Sequence, residues 1–368
     1  MSKYKICVYA ICKNEEKFVD RWYESVKDAD KIFVLDTGSN DDTVKKLKSK
    51  ENVIIKEEKI EPWRFDVARN KSLDMVDEDM DICICMDLDE VIIPGWREII
   101  ESVWDSNITR LSYIFNWSLD KNDNPIVSFY ADKIHARHSY KWTHPVHEVL
   151  TLIDGKKEVR KTTDKLIINH YPDSSKSRSS YLPLLELSVS EDPNDDRNMH
   201  YLGREYMYYG KWQECIDTLI KHLNLPTATW KDERCASMRF IARAYKELGE
   251  YDEARMWLDK AIKEAPYLRD AYVERAILEY TLENYKDSYK YAKEALKIKT
   301  HTRTYINETF SWDYTVYDLL SISAFYLDYL LESLYYINKA IEMAPNNERL
   351  INNRNIIEEK VSKYINEN

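Results

Sequence analysis

Over its first ninety residues the chain alternates short apolar runs with stretches whose apolar positions recur at helical spacing. The runs 5–11, 31–36, 52–56 and 81–86, rich in Val, Ile and Cys, predict buried strands, because a strand covered on both faces needs no polar alternation. The stretches 15–27, 41–48 and 66–76 predict helices, with Asn14 and Asp66 as N-caps of the first and third. Strand–helix–strand order of this kind predicts an α/β fold on a parallel sheet. Further strands are expected at 110–117, 126–130, 149–153 and 165–169, as an extension of that sheet joined by long loops. A charged stretch at 188–196, containing Pro193, reads as a linker.

Beyond the linker the pattern is helical and repeats. Ala242, Tyr245, Gly249, Tyr251, Ala254, Leu258, Ala261 and Pro266 stand at the offsets of a tetratricopeptide unit. Leu202, Gly203, Tyr206, Gly210, Trp212, Cys215 and Leu219 form a unit before it. Ala276, Tyr285, Ser288, Ala292 and Ala295 form one after it, and Ala324, Leu330, Ser333, Ile337, Ala340 and Pro345 a fourth. Small residues let paired helices approach, and large ones fill the space between neighbours. The longer step from Ala295 to Ala340 predicts an insertion of about eleven residues near 301–312, against the ~34-residue period. The expected domains are 1–187, a linker 188–196, and an all-α tetratricopeptide-like domain at 197–368.

Composition narrows the classes. Twenty-eight tyrosines against only 6 glycines exclude a collagen-like or disordered chain. Of those tyrosines, 20 follow residue 196, so the excess belongs to the helical half. A net charge of -11 disfavours nucleic acid as a partner, since phosphate binding needs a basic face. No apolar run is long enough to span a membrane, and the start of the chain reads as a strand and not a signal peptide. The six cysteines lack metal-type spacing and read as buried, reduced thiols of a cytoplasmic protein.

Three acidic constellations follow predicted strands, where open α/β sheets bind ligands. They are Ala10-Ile11-Cys12-Lys13-Asn14-Glu15-Glu16, Asp36-Thr37-Gly38-Ser39-Asn40-Asp41-Asp42-Thr43 and Asp87-Leu88-Asp89-Glu90. Asp41 and Asp42 can also serve simply to cap the next helix, and Asp36 to make a turn. Asp87 and Asp89, two apart at a strand exit, can present oxygens to one hard divalent ion such as Mg2+ or Mn2+, which completes its shell with phosphate oxygens.

These segments, with Ala68-Arg69-Asn70, occur in the order and approximate spacing of family-two glycosyltransferases, which the chain resembles over residues 5 to about 170. The resemblance implies a GT-A fold and inverting transfer from a nucleotide-diphosphate sugar, with a UDP-sugar the default donor. Within the family, the combination with a helical C-terminal region is similar to the bacteriocin, sublancin-type, peptide S-glycosyltransferases. That branch implies transfer of a hexose to a cysteine thiol of a peptide. It also leaves room for a homodimer. The competing expectations are a saccharide, lipopolysaccharide or glycolipid acceptor, and an inactive transferase used as an interaction scaffold.

Matched position by position, the resemblance puts Asp36 at the nucleobase edge and Ala10, Asn14 and Glu15 along the nucleoside pocket. Asp87 and Asp89 would hold the metal and diphosphate, and Arg69 the nucleotide or sugar oxygens; a surface salt bridge on a helix is the other reading of Arg69. Five of the eight histidines lie between 135 and 170. Trp142-Thr143-His144-Pro145-Val146-His147-Glu148 resembles a family segment in which a carboxylate is the catalytic base. Glu148 is the first candidate for that base and His147 the second. His170 is either a third metal ligand or a buried structural histidine. A zinc site is disfavoured by the ligand spacing. Trp117, Trp142, Tyr113, Phe115 and Tyr130 are candidates to stack on sugar or acceptor, or to pack the core.

Overall fold

The computed structural model describes residues 3–153, 155–173, 179–302 and 304–367. They form two compact units, Met1–Glu191 and Asp192–Thr302 with Ile306–Asn368. The first unit is built on β1 (Ile6–Cys12), α1 (Val19–Val26), β2 (Lys31–Asp36), α2 (Thr43–Lys48), β3 (Val53–Glu57), α3 (Phe65–Asp74) and β4 (Ile82–Cys85). It continues through β5 (Glu90–Ile92), α4 (Trp96–Val103), β6 (Arg110–Leu119), β7 (Pro125–Ala136), β8 (Tyr140–Thr143), β9 (Val149–Leu152), β10 (Arg160–His170) and α5 (Tyr181–Glu191).

Eight strands make one mixed sheet in the order β3-β2-β1-β4-β7-β6-β10-β5. The β3-β2-β1-β4 half is parallel, and β7 then joins β4 antiparallel. Alternation along the strands divides the core in two. Ile6, Val8, Ile32, Val34, Ile82 and Ile84 pack one way, against Val19, Trp22 and Val26 of α1 and Trp96 of α4. Cys7, Tyr9, Phe33, Cys83 and Cys85 pack the other way, with Leu73 near the end of α3 and with Trp142 and Leu150. The strand expected at 149–153 lies outside the main sheet. It pairs with β8 as a separate hairpin, with Leu150 and Leu152 covering this second core.

Two expected caps are corrected. The first helix begins at Val19, and Asn14 instead holds a left-handed turn at φ 55°. Asp66 lies inside the first turn of α3, after Arg64, and pairs with that arginine at 2.9 Å.

The second unit consists of helix pairs α6 (Asp196–Tyr208) and α7 (Trp212–Asn224), α8 (Lys231–Glu247) and α9 (Tyr251–Glu264), α10 (Arg269–Thr281) and α11 (Tyr285–Lys297), and α12 (Thr315–Tyr326) and α13 (Leu330–Met343), closed by α14 (Glu348–Glu367). Within the expected linker 188–196 the break between helices is short, 192–195: α5 reaches Glu191, and Asp195 caps α6 through the Asn198 N–H at 2.8 Å. Gly203 is where α6 and α7 touch, since a Cβ there would stand 2.4 Å from the Leu219 side chain. The turn inside each pair passes through a left-handed residue: Gly210, Gly249, Glu283 and Asp328. The first helices of successive pairs pack on one another as an inner layer. The insertion falls between α11 and α12; its Arg303 lies outside the described residues. Ile306 O and the Glu308 carboxylate meet the buried Arg239 of α8 at 2.7 and 3.2 Å.

Candidate active site

The carboxyl ends of β1 and β2 are level, with Cys12 opposite Asp36, so the loops that follow them lie side by side. Their polar side chains lace the loops together. The Asn14 amide oxygen accepts from Asn40 N at 2.7 Å, and Asn14 N donates to Ser39 Oγ at 2.8 Å. Glu15 N donates to Thr43 Oγ1 at 2.7 Å. The buried Asp36 carboxylate accepts from Gly38 N and Ser39 N, both at 3.0 Å, and from the Ser39 hydroxyl. Gly38, at φ 110°, permits the turn that makes this closure. Asp36 thus shapes the loop, with its oxygens engaged there, while Ala10 is wholly buried inside β1. Asp41 accepts from Thr43 N, the first residue of α2, at 3.0 Å, while Asp42 holds the N-cap position without a side-chain bond.

The next strand end carries most of the charge. Arg69 of α3 is buried. Its Nη1 stands 2.9 Å from Asp87, and its Nε bonds Glu148. The surface-pair reading of Arg69 is therefore excluded. One guanidinium ties together two carboxylates that are sixty-one positions apart in sequence. Asn70 makes this possible: its side chain donates to Trp142 O and accepts from Trp142 N, both at 2.8 Å, clamping the β8–β9 hairpin onto α3. Trp142 then closes on the core through Nε1–H to the Tyr9 hydroxyl, at 2.9 Å.

Lys133 went unnoticed in the sequence because a lone lysine in a strand carries no motif. The β4–β7 register, with Ile84 opposite Ile134, sets it beside the exit of β4. Its ammonium reaches Glu90 at 2.8 Å and Asp87 at 3.2 Å. Burial alone would push the Asp87 carboxyl up, but Arg69 and Lys133 outweigh it and hold the group well below the usual carboxylate range. Glu90 is pushed up, by burial first and then by Asp87.

The β10–β5 register places His170 opposite Glu90, next to Asp89. Its Nδ1 donates to Trp117 O at 2.9 Å, which leaves Nε2 facing Asp89 Oδ2 at 3.4 Å. Burial works against charging this ring, yet the Asp89 carboxylate wins and raises its pKa. A neutral His170 would turn a lone pair toward a carboxylate, and such a juxtaposition calls for a proton or a metal ion. Asp89 and His170 therefore fit a divalent ion that takes its remaining ligands from phosphate and water. Asp87 does not converge with them: the three ligand atoms do not all lie within 4.8 Å of one another. His170 also lines a cavity of about 530 Å3, together with Lys17, Arg21, Asp120 and Asp123.

The remaining histidines of the cluster separate. His135 is buried, donates from Nδ1 to Ala136 O at 2.9 Å and accepts at Nε2 from the Tyr9 hydroxyl at 2.8 Å. Burial pushes its pKa down to about 4. His138 meets Glu78 O at the surface. His147 precedes Glu148 in a left-handed conformation, its ring edge-on to Tyr181. Tyr113 and Phe115 are core residues, Tyr130 is exposed, and Trp117, 48% exposed, stacks on His170 at 4.6 Å.

Residues 7–109 match the family model described as glycosyl transferase family 2. The first unit thus contains a segment similar to family-two glycosyltransferases, and the second is a tetratricopeptide-like helical array. Among solved structures the chain is similar to the MamA protein, at 18% identity over 46% of this chain and 85% of that one, with a TM-score of 0.36. It is also similar to a thermophilic TPR protein of Thermus thermophilus, at 18% identity over 49% and 89%, TM-score 0.34. A third is YrrB, titled a TPR protein with an unusual peptide-binding site, at 13% identity over 48% and 84%, TM-score 0.39. No curated protein sequence matches the chain. Among the described residues, no helix is long and apolar enough to cross a membrane.

Proposed function

We propose that the first unit is an inverting hexosyltransferase that carries a sugar from a nucleotide-diphosphate donor, a UDP-sugar, to a cysteine thiol of a peptide. The observation that carries this reading is the buried Arg69, which joins Asp87 at a strand end to Glu148 on the hairpin. That bond sets a carboxylate base beside the carboxylates that receive the donor. The laced loops of Asn14, Glu15 and Asp36 form the nucleoside pocket, with Ala10 beneath it. Asp89 and His170 hold a Mg2+ or Mn2+ ion, and Asp87 supports it from its place on Arg69 and Lys133. When bound, such an ion offsets the charge that builds on the departing diphosphate.

The acceptor enters on the opposite side of the anomeric carbon and loses its proton to Glu148, with His147 the second candidate. A thiol suits this arrangement. Its ordinary pKa, about 8.5, asks little of a base that is already shared with an arginine. The cavity beside His170 has lysine, arginine and aspartate walls, which suit a peptide backbone and its charged side chains. The helical array would receive the rest of the peptide, or a second copy of the chain, in the cytoplasm.

The purified chain should be incubated with nucleotide sugars and cysteine-containing peptides, with and without Mn2+, and followed by mass spectrometry. A one-hexose gain on cysteine, with an inverted anomer by NMR and loss of turnover in Asp89→Ala, is expected. Turnover that survives Asp89→Ala unchanged would sink the metal assignment. One observation favours a second acceptor class: the exposed Trp117, stacked on His170, is a platform for a saccharide ring. Modification of glycans or glycolipids alone, in the same assay, would select it.

A further inference from the structure

The helical unit contains a second set of metal-type ligands, on none of the residues used above. Asp196 lies in the first turn of α6, His222 in the last turn of α7 and Glu233 in the first turn of α8. One ligand atom from each lies within 4.8 Å of the other two. His222 is wholly buried and Glu233 nearly so, while Asp196 is half-buried. The His222 Nε2 makes no hydrogen bond, and it faces the Glu233 carboxylate at 3.4 Å. A buried ring nitrogen that faces a carboxylate without a hydrogen bond, with a second carboxylate close by, is the feature that needs explaining.

From this geometry we infer that Asp196, His222 and Glu233 bind a divalent transition ion of the zinc class. Around a tetrahedral ion with bonds of ~2.0–2.1 Å, neighbouring ligand atoms stand about 3.4 Å apart, which is the His222–Glu233 spacing. One imidazole and two carboxylates form a mixed nitrogen and oxygen set, and their two negative charges balance a divalent ion. A water takes the fourth position.

The surroundings supply the support that ligating histidines require. The His222 Nδ1 lies 3.0 Å from Ser237 Oγ, and the same hydroxyl lies 2.7 Å from the His200 Nδ1. One hydroxyl proton can serve only one of the two rings. In the metal-bound state His222 donates its Nδ1–H to the Ser237 oxygen, and the Ser237 hydroxyl donates its O–H to the His200 Nδ1. That tautomer leaves the His222 Nε2 lone pair for the ion. Because the three ligands come from three consecutive helices, the ion would lock the first repeat to the start of the second.

The test uses the full chain carrying Asp89→Asn, so that the donor site cannot contribute. After removal of metals by a chelator, Zn2+ is titrated calorimetrically, with folding checked by circular dichroism. One equivalent should bind and raise the Tm. Binding should fall at least a hundredfold in Glu233→Gln, and in the half-buried Asp196→Asn should the first variant fold poorly. Ser237→Ala should weaken it about 10–100-fold. The zinc absorption edge should show nitrogen and oxygen neighbours without sulphur. Absence of Zn2+ uptake, uptake unchanged in these variants, or a sulphur shell from the cysteines would each overturn the inference.

Discussion

Arg69 shows how much one residue can hold. Its guanidinium serves two carboxylates, so Arg69→Ala takes the ion-pair partner from Glu148 and leaves Asp87 to Lys133 alone. Loss of the pair should cost about 3 kcal/mol of stability, and activity should fall by orders of magnitude. Arg69→Lys should restore stability only in part, because an ammonium cannot bond both partners in the plane of a fork. Chemical unfolding alongside initial rates checks both statements. His135 makes a prediction of the opposite kind, about acid. Its folded pKa, about 4, lies below the ordinary ~6.5, so both states leave it neutral above pH 6.5. As pH falls through that window only the unfolded chain takes up the proton, and stability drops. Urea unfolding at pH 6.5 and 4.5 should differ by about 2 kcal/mol more in the native chain than in His135→Gln. At this scale motif membership pointed to residues that lie together in the fold, as Arg69, Asp87 and Glu148 do. The sequence was silent on Lys133, whose place depends on strand register. It misled on Asn14, because a left-handed asparagine in a loop and an N-cap look alike in a string of letters.

Among elements, the β8–β9 hairpin and the helix pairs are the informative cases. The hairpin hangs on α3 by the two hydrogen bonds of Asn70, and through them Glu148 reaches Arg69. Asn70→Ala should cost about 2 kcal/mol and speed amide exchange across 140–152. The catalytic rate should fall further than donor binding does, since the nucleoside loops are untouched. In the helical unit Gly203 lies against Leu219 without room for a methyl group. Gly203→Ala should therefore destabilise by about 1–3 kcal/mol in thermal unfolding, and Leu219→Val in the same chain should recover part of it. The repeat offsets were readable because each small residue answers a close approach between helices. The strand β5 and the hairpin strand β8 were not readable, for three or four residues carry too little pattern to separate a strand from a loop.

At the scale of the molecule, the change from short strands to paired helices was visible as a change of periodicity, and the two units divide at Glu191 and Asp192, inside the charged stretch 188–196; that helix reaches both ends of that stretch was not visible. The sheet's mixed character was hidden too, since antiparallel pairing beyond β4 depends on contacts far apart in sequence. The proposed thiol acceptor gives the chain's own cysteines a consequence. All six are buried and free, and burial pushes Cys85 up to about 11 and Cys215 and Cys235 to about 12. A transferase for cysteine would have to spare its own, and here all six side chains are sealed from solvent. The folded protein should be silent to thiol reagents under native conditions, so every thiol lost from a reaction mixture would belong to the acceptor.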